Sequence, residues 1–459
     1  MSIKPLIKSI FLATTVLLFC ALISFFYLIP AIKIYNFKNY LDKIEIEGST
    51  LVLKAKYDNS EKPLIEYNSQ KRIHPGSNFK LFTAAAALHY LGPEFKFSTK
   101  LFFDEKTGNL TLVGSGDPTF RQKDFKNFVE KIKESKINIK TISYDDSAFH
   151  GEEYGPDWPK AWENLYFGVP ITGLQIDDNL LTIIGYENEE TKKFEIKTFP
   201  LKNYPLIDNR TILKDINEIE IPTTARIENE TILLEGETIK ELPFHTSAVI
   251  KDPSKTTALV LKNQLGIDVP VQAIQSKNYG KLLYEHKSQS LKEIIATMLT
   301  FSKNNYAETL VRVLGEGSQA DGVLVLEDFF LEIGLENISA FDGSGLSPNT
   351  RVTANSIIKL FEYIEKQSWK DLFWHALPES RIDGTLKHRF SEVNMTNQVI
   401  AKTGSHSFSS SLSGKIADPS NKNILFSIHI YNYPYSTEES IAKIIPLIDI
   451  LVSKLDQQW

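Results

Sequence analysis

The stretch His74-Pro-Gly-Ser77-Asn-Phe-Lys80-Leu-Phe-Thr-Ala-Ala-Ala-Ala-Leu-His-Tyr90 decides how the rest of this chain is read. His74-Pro-Gly76 breaks the chain after a strand-like run. The residues after Gly76 are rich in Ala and Leu and free of Gly and Pro until Gly92-Pro93, the pattern of a helix with its stop signal. The sequence therefore predicts a helix that opens at Ser77. Positions i and i+3 share a helix face, so Lys80 comes within a hydrogen bond of the Ser77 hydroxyl. Serine is a weak nucleophile and needs a base beside it. A lysine serves only if burial or neighbouring cations lower its pKa. A serine at the mouth of a helix also brings backbone N–H groups toward a developing oxyanion.

Ser-x-x-Lys alone is weak, because a chain of this size holds roughly two copies by chance. Ser356-Ile-Ile-Lys359 is the second copy, and its place inside a helix that starts after Thr353 marks it as structural. Two further short elements bear on the chemistry. Ser302-Lys-Asn304 lies in a break between two helical runs, where a hydroxyl and an amide can be aimed into a cleft. Its rival, Ser276-Lys-Asn278, precedes Tyr279-Gly280 and reads as a solvated turn. Lys402-Thr-Gly404 offers a cation, a hydroxyl in Thr403, and in Gly404 a residue that lets a strand approach a ligand closely. A surface strand with an ordinary lysine is the competing reading of that element.

Outward from these motifs, the chain divides by texture. Leu51–Tyr57 and Pro63–Tyr67 read as strands. From about 95 to 286 short β-rich runs alternate with turns, among them 97–103, 110–113, 180–184 and 231–234, with one helix expected over 123–133. An aromatic loop, Tyr154 to Phe167, carries Trp158, Trp162 and Tyr166. Helical texture resumes at 290–299, 306–314 and 354–365. Strands at 411–416 and 424–431 flank a hairpin connection at 418–423, and a last helix covers 437–455. The expected architecture is one α/β (α+β) domain, an antiparallel sheet flanked by helices, built from residues 34–95 and 288–459. A β-rich region, 96–287, is inserted into it, with a nested module at about 180–245.

Bulk properties narrow the function. With 459 residues, 42% of them hydrophobic, the chain can bury a large core. A net charge of −6 argues against nucleic acid as partner. The one cysteine, Cys20, sits in an apolar run from Ile10 to Ile32, so neither a disulfide framework nor a cysteine zinc site is expected. His-Glu-x-x-His is absent, and no cofactor or metal is expected. The run comes after Lys4 and Lys8 and is long enough to span a bilayer, which takes about 20 residues. It lacks a small-x-small cleavage site. We read residues 1–33 as an uncleaved membrane anchor, with a cleaved signal peptide as the alternative. The rest of the chain then lies outside the cytoplasm.

Taken in order, Ser-x-x-Lys, Ser-x-Asn and Lys-Thr-Gly form the set found in β-lactamases and penicillin-binding proteins. The chain resembles the class C low-molecular-mass penicillin-binding proteins, the D-alanyl-D-alanine carboxypeptidase/endopeptidase family S13. The flanks that carry the resemblance include Pro75-Gly-Ser-Asn-Phe-Lys80, Val113-Gly-Ser-Gly-Asp-Pro118, Tyr144-Asp-Asp-Ser147, Phe341-Asp-Gly-Ser-Gly-Leu-Ser347, Asp383-Gly-Thr-Leu386 and Ala401-Lys-Thr-Gly404. The long gap between Lys80 and Ser302 fits a family with inserted domains.

The resemblance implies a serine DD-peptidase. Ser77 would attack the carbonyl between two D-alanines and form an acyl-enzyme, with Lys80 as proton acceptor. Ser302 and Asn304 would line the cleft, Ser302 relaying a proton to the leaving amine. Lys402 would support Ser302 and the substrate carboxylate, beside Thr403, Gly404 and Ser405. The oxyanion would sit on the backbone N–H groups of Ser77 and Ser405. Peptidoglycan peptides are the implied substrates, and β-lactams would acylate Ser77 by imitating the dipeptide. Pro348 stands where the family often has an arginine that grips the peptide's diamino acid, and Arg351 comes later. Another serine hydrolase (β-lactamase, D-amino peptidase or esterase) and an inactive cell-wall-binding scaffold remain as alternative readings.

Overall fold

The computed structural model describes residues 29–459 apart from 45, 47, 189, 191–193, 202–205, 215–221, 230, 240–242, 277 and 435–436. The expected anchor lies outside the described residues except for its last few positions. These belong to the helix Ile29–Asp42, and among the described residues no helix is long and apolar enough to cross a membrane.

Two distant parts of the chain make the main sheet. Its five strands run in the order Gln398–His406, Ser409–Ala417, Ile424–Tyr431, Thr50–Tyr57, Pro63–Tyr67, all antiparallel. The N-terminal strand pairs with the C-terminal one in register from Thr50 opposite Tyr431 to Tyr57 opposite Ile424. Its residues Leu51, Val52, Leu53 and Ala55 are all buried, so both faces of the sheet are covered. On one face lie the helices Lys80–Leu91, Leu291–Thr300, Asn304–Leu314 and Ala354–Ile364, which build the larger core. The helices Ile29–Asp42 and Ile445–Gln458 supply Phe37, Leu41, Leu451 and Leu455 to the core on the other face. The helix after Ser77 is buried continuously from Lys80 to Leu88, and the run Ala84–Ala87 lets its neighbours approach closely on every side. A continuously apolar helix belongs in an interior of this kind.

The segment between Leu91 and Leu291 forms its own sheets. Five strands run in the order Val271–Ala273, Thr141–Asp145, Asn109–Val113, Ser98–Asp104, Lys281–Lys287, with Thr141–Asp145 parallel to both its neighbours. Parallel pairs need crossovers, and two helices, Phe125–Ser135 and Pro253–Leu265, share a core with this sheet. The second helix is absent from the sequence-based expectation. Its signals are local: the Asp252 carboxylate accepts the Lys255 N–H at 2.9 Å, Pro253 fills the first turn, and Gly266 closes it with φ +66°. The β-branched pair Thr256-Thr257 obscures them. Smaller sheets combine Phe244–Val249 with Leu180–Glu187 and Phe194–Phe199, and Thr224–Glu228 with Thr231–Glu235 and Leu206–Asn209.

Candidate active site

Ser77 sits where a loop, a helix and a sheet edge converge. It lies on a single 3₁₀ turn, Gly76–Phe79, and the α-helix proper begins only at Lys80. The helix thus opens three residues later than its propensities imply. The tighter turn eclipses side chains three apart, which brings Ser77 and Lys80 together. Two glycines press this turn against the strand Gln398–His406. Gly76 has φ +53°, and a Cβ there would meet the Ser405 nitrogen at 2.8 Å. A Cβ on Gly404 would lie 2.4 Å from the Pro75 carbonyl oxygen. Between them the buried Asn78 amide completes its bonding by donating to the Lys402 carbonyl at 3.0 Å while its oxygen accepts from the Ser411 hydroxyl.

The Lys80 Nζ lies 2.8 Å from Ser77 Oγ, 2.6 Å from Asn304 Oδ1 and 3.1 Å from the Ser344 carbonyl. It is fully buried, and burial pushes its pKa down to about 7 against the opposing pull of Asp342 and Glu308. As an ammonium it donates to all three oxygens. As an amine it donates to Asn304 and Ser344 and turns its lone pair to the Ser77 hydroxyl, which then donates.

Ser302 occupies the break between the helices Leu291–Thr300 and Asn304–Leu314, in the left-handed region at φ +58°. Its hydroxyl accepts from Lys402 Nζ at 3.0 Å, and Lys402 also donates to the Thr403 carbonyl at 2.9 Å. Burial, and then the charge of Lys80, hold the Lys402 pKa well below the usual lysine value. Thr403 donates to the Thr385 hydroxyl at 2.9 Å, and Ser405 is exposed one residue beyond Gly404. The rival motifs do not join this site. Ser356 donates to the Thr353 carbonyl inside its helix cap, and Ser276 donates to the Asn278 carbonyl within its turn.

The pattern of the D-Ala-D-Ala carboxypeptidase 3 (S13) family matches residues 35–453. The chain belongs to the D-Ala-D-Ala carboxypeptidase 3 (S13) family. The resemblance read from its motifs is therefore borne out, and the protein is a serine-type D-Ala-D-Ala peptidase. It is 25% identical over 457 residues to the D-alanyl-D-alanine carboxypeptidase DacB of Haemophilus influenzae, covering 93% of this chain and 94% of that one. It is 26% identical over 416 residues to the D-alanyl-D-alanine carboxypeptidase of Actinomadura sp. (strain R39), covering 81% of this chain and 76% of that one. In fold it is similar to the crystal structure of penicillin binding protein 4 from H. influenzae, at TM-score 0.76 and 24% identity, with 92% of this chain and 99% of that one covered.

Beneath the site of this S13 peptidase lies a buried charged layer of Glu308, Asp342 and Arg312, of which Asp342 alone stands in a run that carries the resemblance. Glu308 accepts the backbone N–H groups of Gly343 and Ser344 at 3.1 and 2.8 Å, and so fixes the carbonyl that holds Lys80. Asp342 accepts from Gly345 N at 2.9 Å and from the Trp158 indole at 3.0 Å. Burial, reinforced for Glu308 by the charge of Asp342, raises the pKa of both carboxyl groups. Arg312, buried one turn along the helix, supplies the compensating charge.

The aromatic loop Tyr154 to Phe167 borders this layer. Besides the Trp158 bond, the Phe167 carbonyl accepts from the Asn304 amide at 2.9 Å, and Trp162 stands edge-on to His406 at 5.7 Å. Periodicity in aromatic residues gives no pointer to these contacts, which join residues more than 130 positions apart. Arg351 donates to the Pro348 and Thr350 carbonyls of its own loop at 2.6 and 2.9 Å.

Proposed function

We propose that the protein hydrolyses D-Ala-D-Ala ends or cross-links of peptidoglycan peptides through an acyl-enzyme on Ser77. The observation that carries this reading is the 2.8 Å contact between the Ser77 hydroxyl and a buried Lys80 whose pKa is pushed down to about 7. Such an amine is a base matched to neutral pH. Lys80 takes the proton as Ser77 Oγ bonds to the carbonyl carbon. The oxyanion rests on the N–H groups of Ser77 and Ser405. Ser302, against Lys402, passes a proton to the leaving amine as the peptide C–N bond breaks. Thr403, Gly404 and Ser405 flank the substrate, whose terminal carboxylate meets the cationic side of the site. Water then attacks the acyl carbon and yields a proton to the Ser302–Lys402 pair, which gave one to the amine; the ester bond breaks, and Lys80 returns its proton to Ser77 Oγ.

β-Lactams enter the same chemistry because their ring carbonyl presents the same target to Ser77. The H. influenzae penicillin binding protein 4 fold has been seen complexed with a β-lactam, and a predatory endopeptidase from Bdellovibrio bacteriovorus shares the fold at TM-score 0.53. We place the enzyme outside the cytoplasm, where peptidoglycan is, with residues 10–32 as its anchor.

A fluorescent penicillin tests the reading. The purified chain should take a stable label that Ser77→Ala loses. A label independent of Ser77 would sink it, and rapid turnover of the label would favour a β-lactamase. Release of D-alanine from a pentapeptide, set against cleavage of a cross-linked dimer, then separates carboxypeptidase from endopeptidase.

A further inference from the structure

The helix Asn304–Leu314 begins just after Ser302 and carries Asn304, yet its start is bare. Lys303 stands at the cap position with no side-chain capping bond, and the first turn contains no acidic residue. Helix N-termini favour a negative charge. Here one arrives from the inserted region. The Asp178 carboxylate bonds Lys303 Nζ at 3.1 Å through one oxygen, and Arg121 at 2.9 Å through the other. The second oxygen also faces the Asn305 amide at 3.4 Å. Arg121 continues to the Tyr306 hydroxyl at 2.9 Å, and Gln175 donates to the Thr309 hydroxyl at 3.0 Å. Residues 303, 305, 306 and 309 are thus gripped from one side.

The gripping segment is itself held in an unusual shape. Asp177, Asp178 and Asn179 are three consecutive non-glycine residues with positive φ, at 47°, 58° and 57°. Such strain persists only where the surroundings over-determine it, and it clusters at functional sites. The surroundings here are explicit. The buried Asn179 amide donates to the Pro170 carbonyl at 2.8 Å and to Gln175 at 2.9 Å, and its oxygen accepts from Ile176 N at 3.1 Å. Asp177 N donates to the Phe120 carbonyl at 3.0 Å.

We infer that Asp178 is a positioning residue for the peptidase reaction: by clamping Lys303 it fixes the left-handed turn at Ser302 and the direction of the Asn304 amide, and so makes the inserted region part of the catalytic apparatus. Asp178 touches neither substrate nor reacting atoms. The inference rests on the roles proposed for Ser302 and Asn304.

The test uses the full chain with Asp178→Asn, Lys303→Met, their double variant and Asp178→Glu. It reads the second-order rate of Ser77 acylation by a fluorescent penicillin, KM and kcat on a D-Ala-D-Ala peptide, and the thermal midpoint. Each single variant should lose about tenfold in acylation and kcat with little change in KM, since small misplacement of reacting groups is costly. The double should be no worse than Asp178→Asn alone, because the Asp178–Lys303 contact that Lys303→Met removes is then already lost. Asp178→Glu should recover part of the loss. Additive losses, or acylation within about twofold of wild type, would overturn the clamp. If Asp178→Asn does not fold, Lys303→Met decides, because it leaves the Asp178–Arg121 pair in place. A wild-type chain that takes no label overturns the functional reading instead, an outcome distinct from a labelled wild type with unaffected variants.

Discussion

The amine of Lys80 meets the hydroxyl of Ser77 at 2.8 Å with its own pKa pushed down to about 7 by burial. Acylation through a neutral Lys80 should therefore rise with pH through about 7 and level off above it, as measured by penicillin labelling across about pH 5 to 9. Lys80→Arg keeps a cation that does not deprotonate and should lose roughly 10²–10⁴ in rate, the usual range for a general base. A flat profile in the wild type would count against Lys80 as base.

The same shift has a thermodynamic face. Between about 7 and the ordinary lysine value of 10.5, the unfolded chain holds a proton at this position that the folded one has released. Stability rises with pH wherever the unfolded state binds more protons, so this group makes folding more favourable as pH rises through that window. As pH falls back through about 7 the contribution is lost. Denaturant melts of wild type and Lys80→Met should differ in pH dependence in that sense. Lys80→Met should have a shallower rise, keeping only the share of Lys402, and an identical slope in both proteins would show that Lys80 is not a group responsible.

Glu308 acts on Lys80 twice, through the Ser344 carbonyl and through its charge. Its carboxylate opposes the fall of the Lys80 pKa. Glu308→Gln should therefore shift the rising limb of the acylation profile to lower pH. It should also cost about 3 kcal/mol of stability by removing the larger of the two carboxylate charges that act on buried Arg312. A limb that moves to higher pH, or does not move in a folded variant, would contradict this arrangement.

The pairing of Ser77 with Lys80 was legible because it is local: three positions, one turn. Ser302 could be separated from Ser276 for a similar reason, since a break between two helices and a turn before Tyr279-Gly280 differ in their neighbours. The order of the strands that surround them was less legible, yet the alternating and apolar runs at 424–431 and 51–57 sufficed to mark them. Glu308 and Arg312 escaped because nothing in a helical stretch distinguishes a buried charge from a solvated one, and Asp342 because nothing in its loop announces burial. Only the fold brings Gly343 and Ser344 onto Glu308. Trp158 and Asp178 escaped for the same reason, their partners lying 184 and 125 residues away.

Gly404 tests how tightly the turn that carries Ser77 is seated. A Cβ there would lie 2.4 Å from the Pro75 oxygen and 2.2 Å from Ser411 Oγ, and the first of these is backbone that cannot swing aside. Gly404→Ala should displace the turn that carries Ser77 and lower stability by about 1–3 kcal/mol, the range for overpacking. Acylation should fall by more than about tenfold even at temperatures where the variant is folded, since reaction depends on sub-ångström placement. Wild-type labelling by Gly404→Ala would show that the strand and the turn are not in the contact described.

Trp158 gives the sharpest test of the aromatic loop, because one atom carries its effect. The indole N–H donates to Asp342 at 3.0 Å, and that bond lowers the carboxyl pKa against the upward push of burial. Trp158→Phe keeps an aromatic ring and removes the donor. A buried carboxylate that loses a charge-assisted bond costs about 1.5–3 kcal/mol, and the Asp342 pKa rises further. Asp342 is also the larger of the two charges that hold the Lys80 pKa up. More of it protonated means a lower Lys80 pKa, so the acylation limb should move toward acid, in the same direction as with Glu308→Gln. In a double variant the shifts should be less than additive, because both act on one coupled layer. Trp158→Phe with the wild-type profile and wild-type melting would confine the loop to packing.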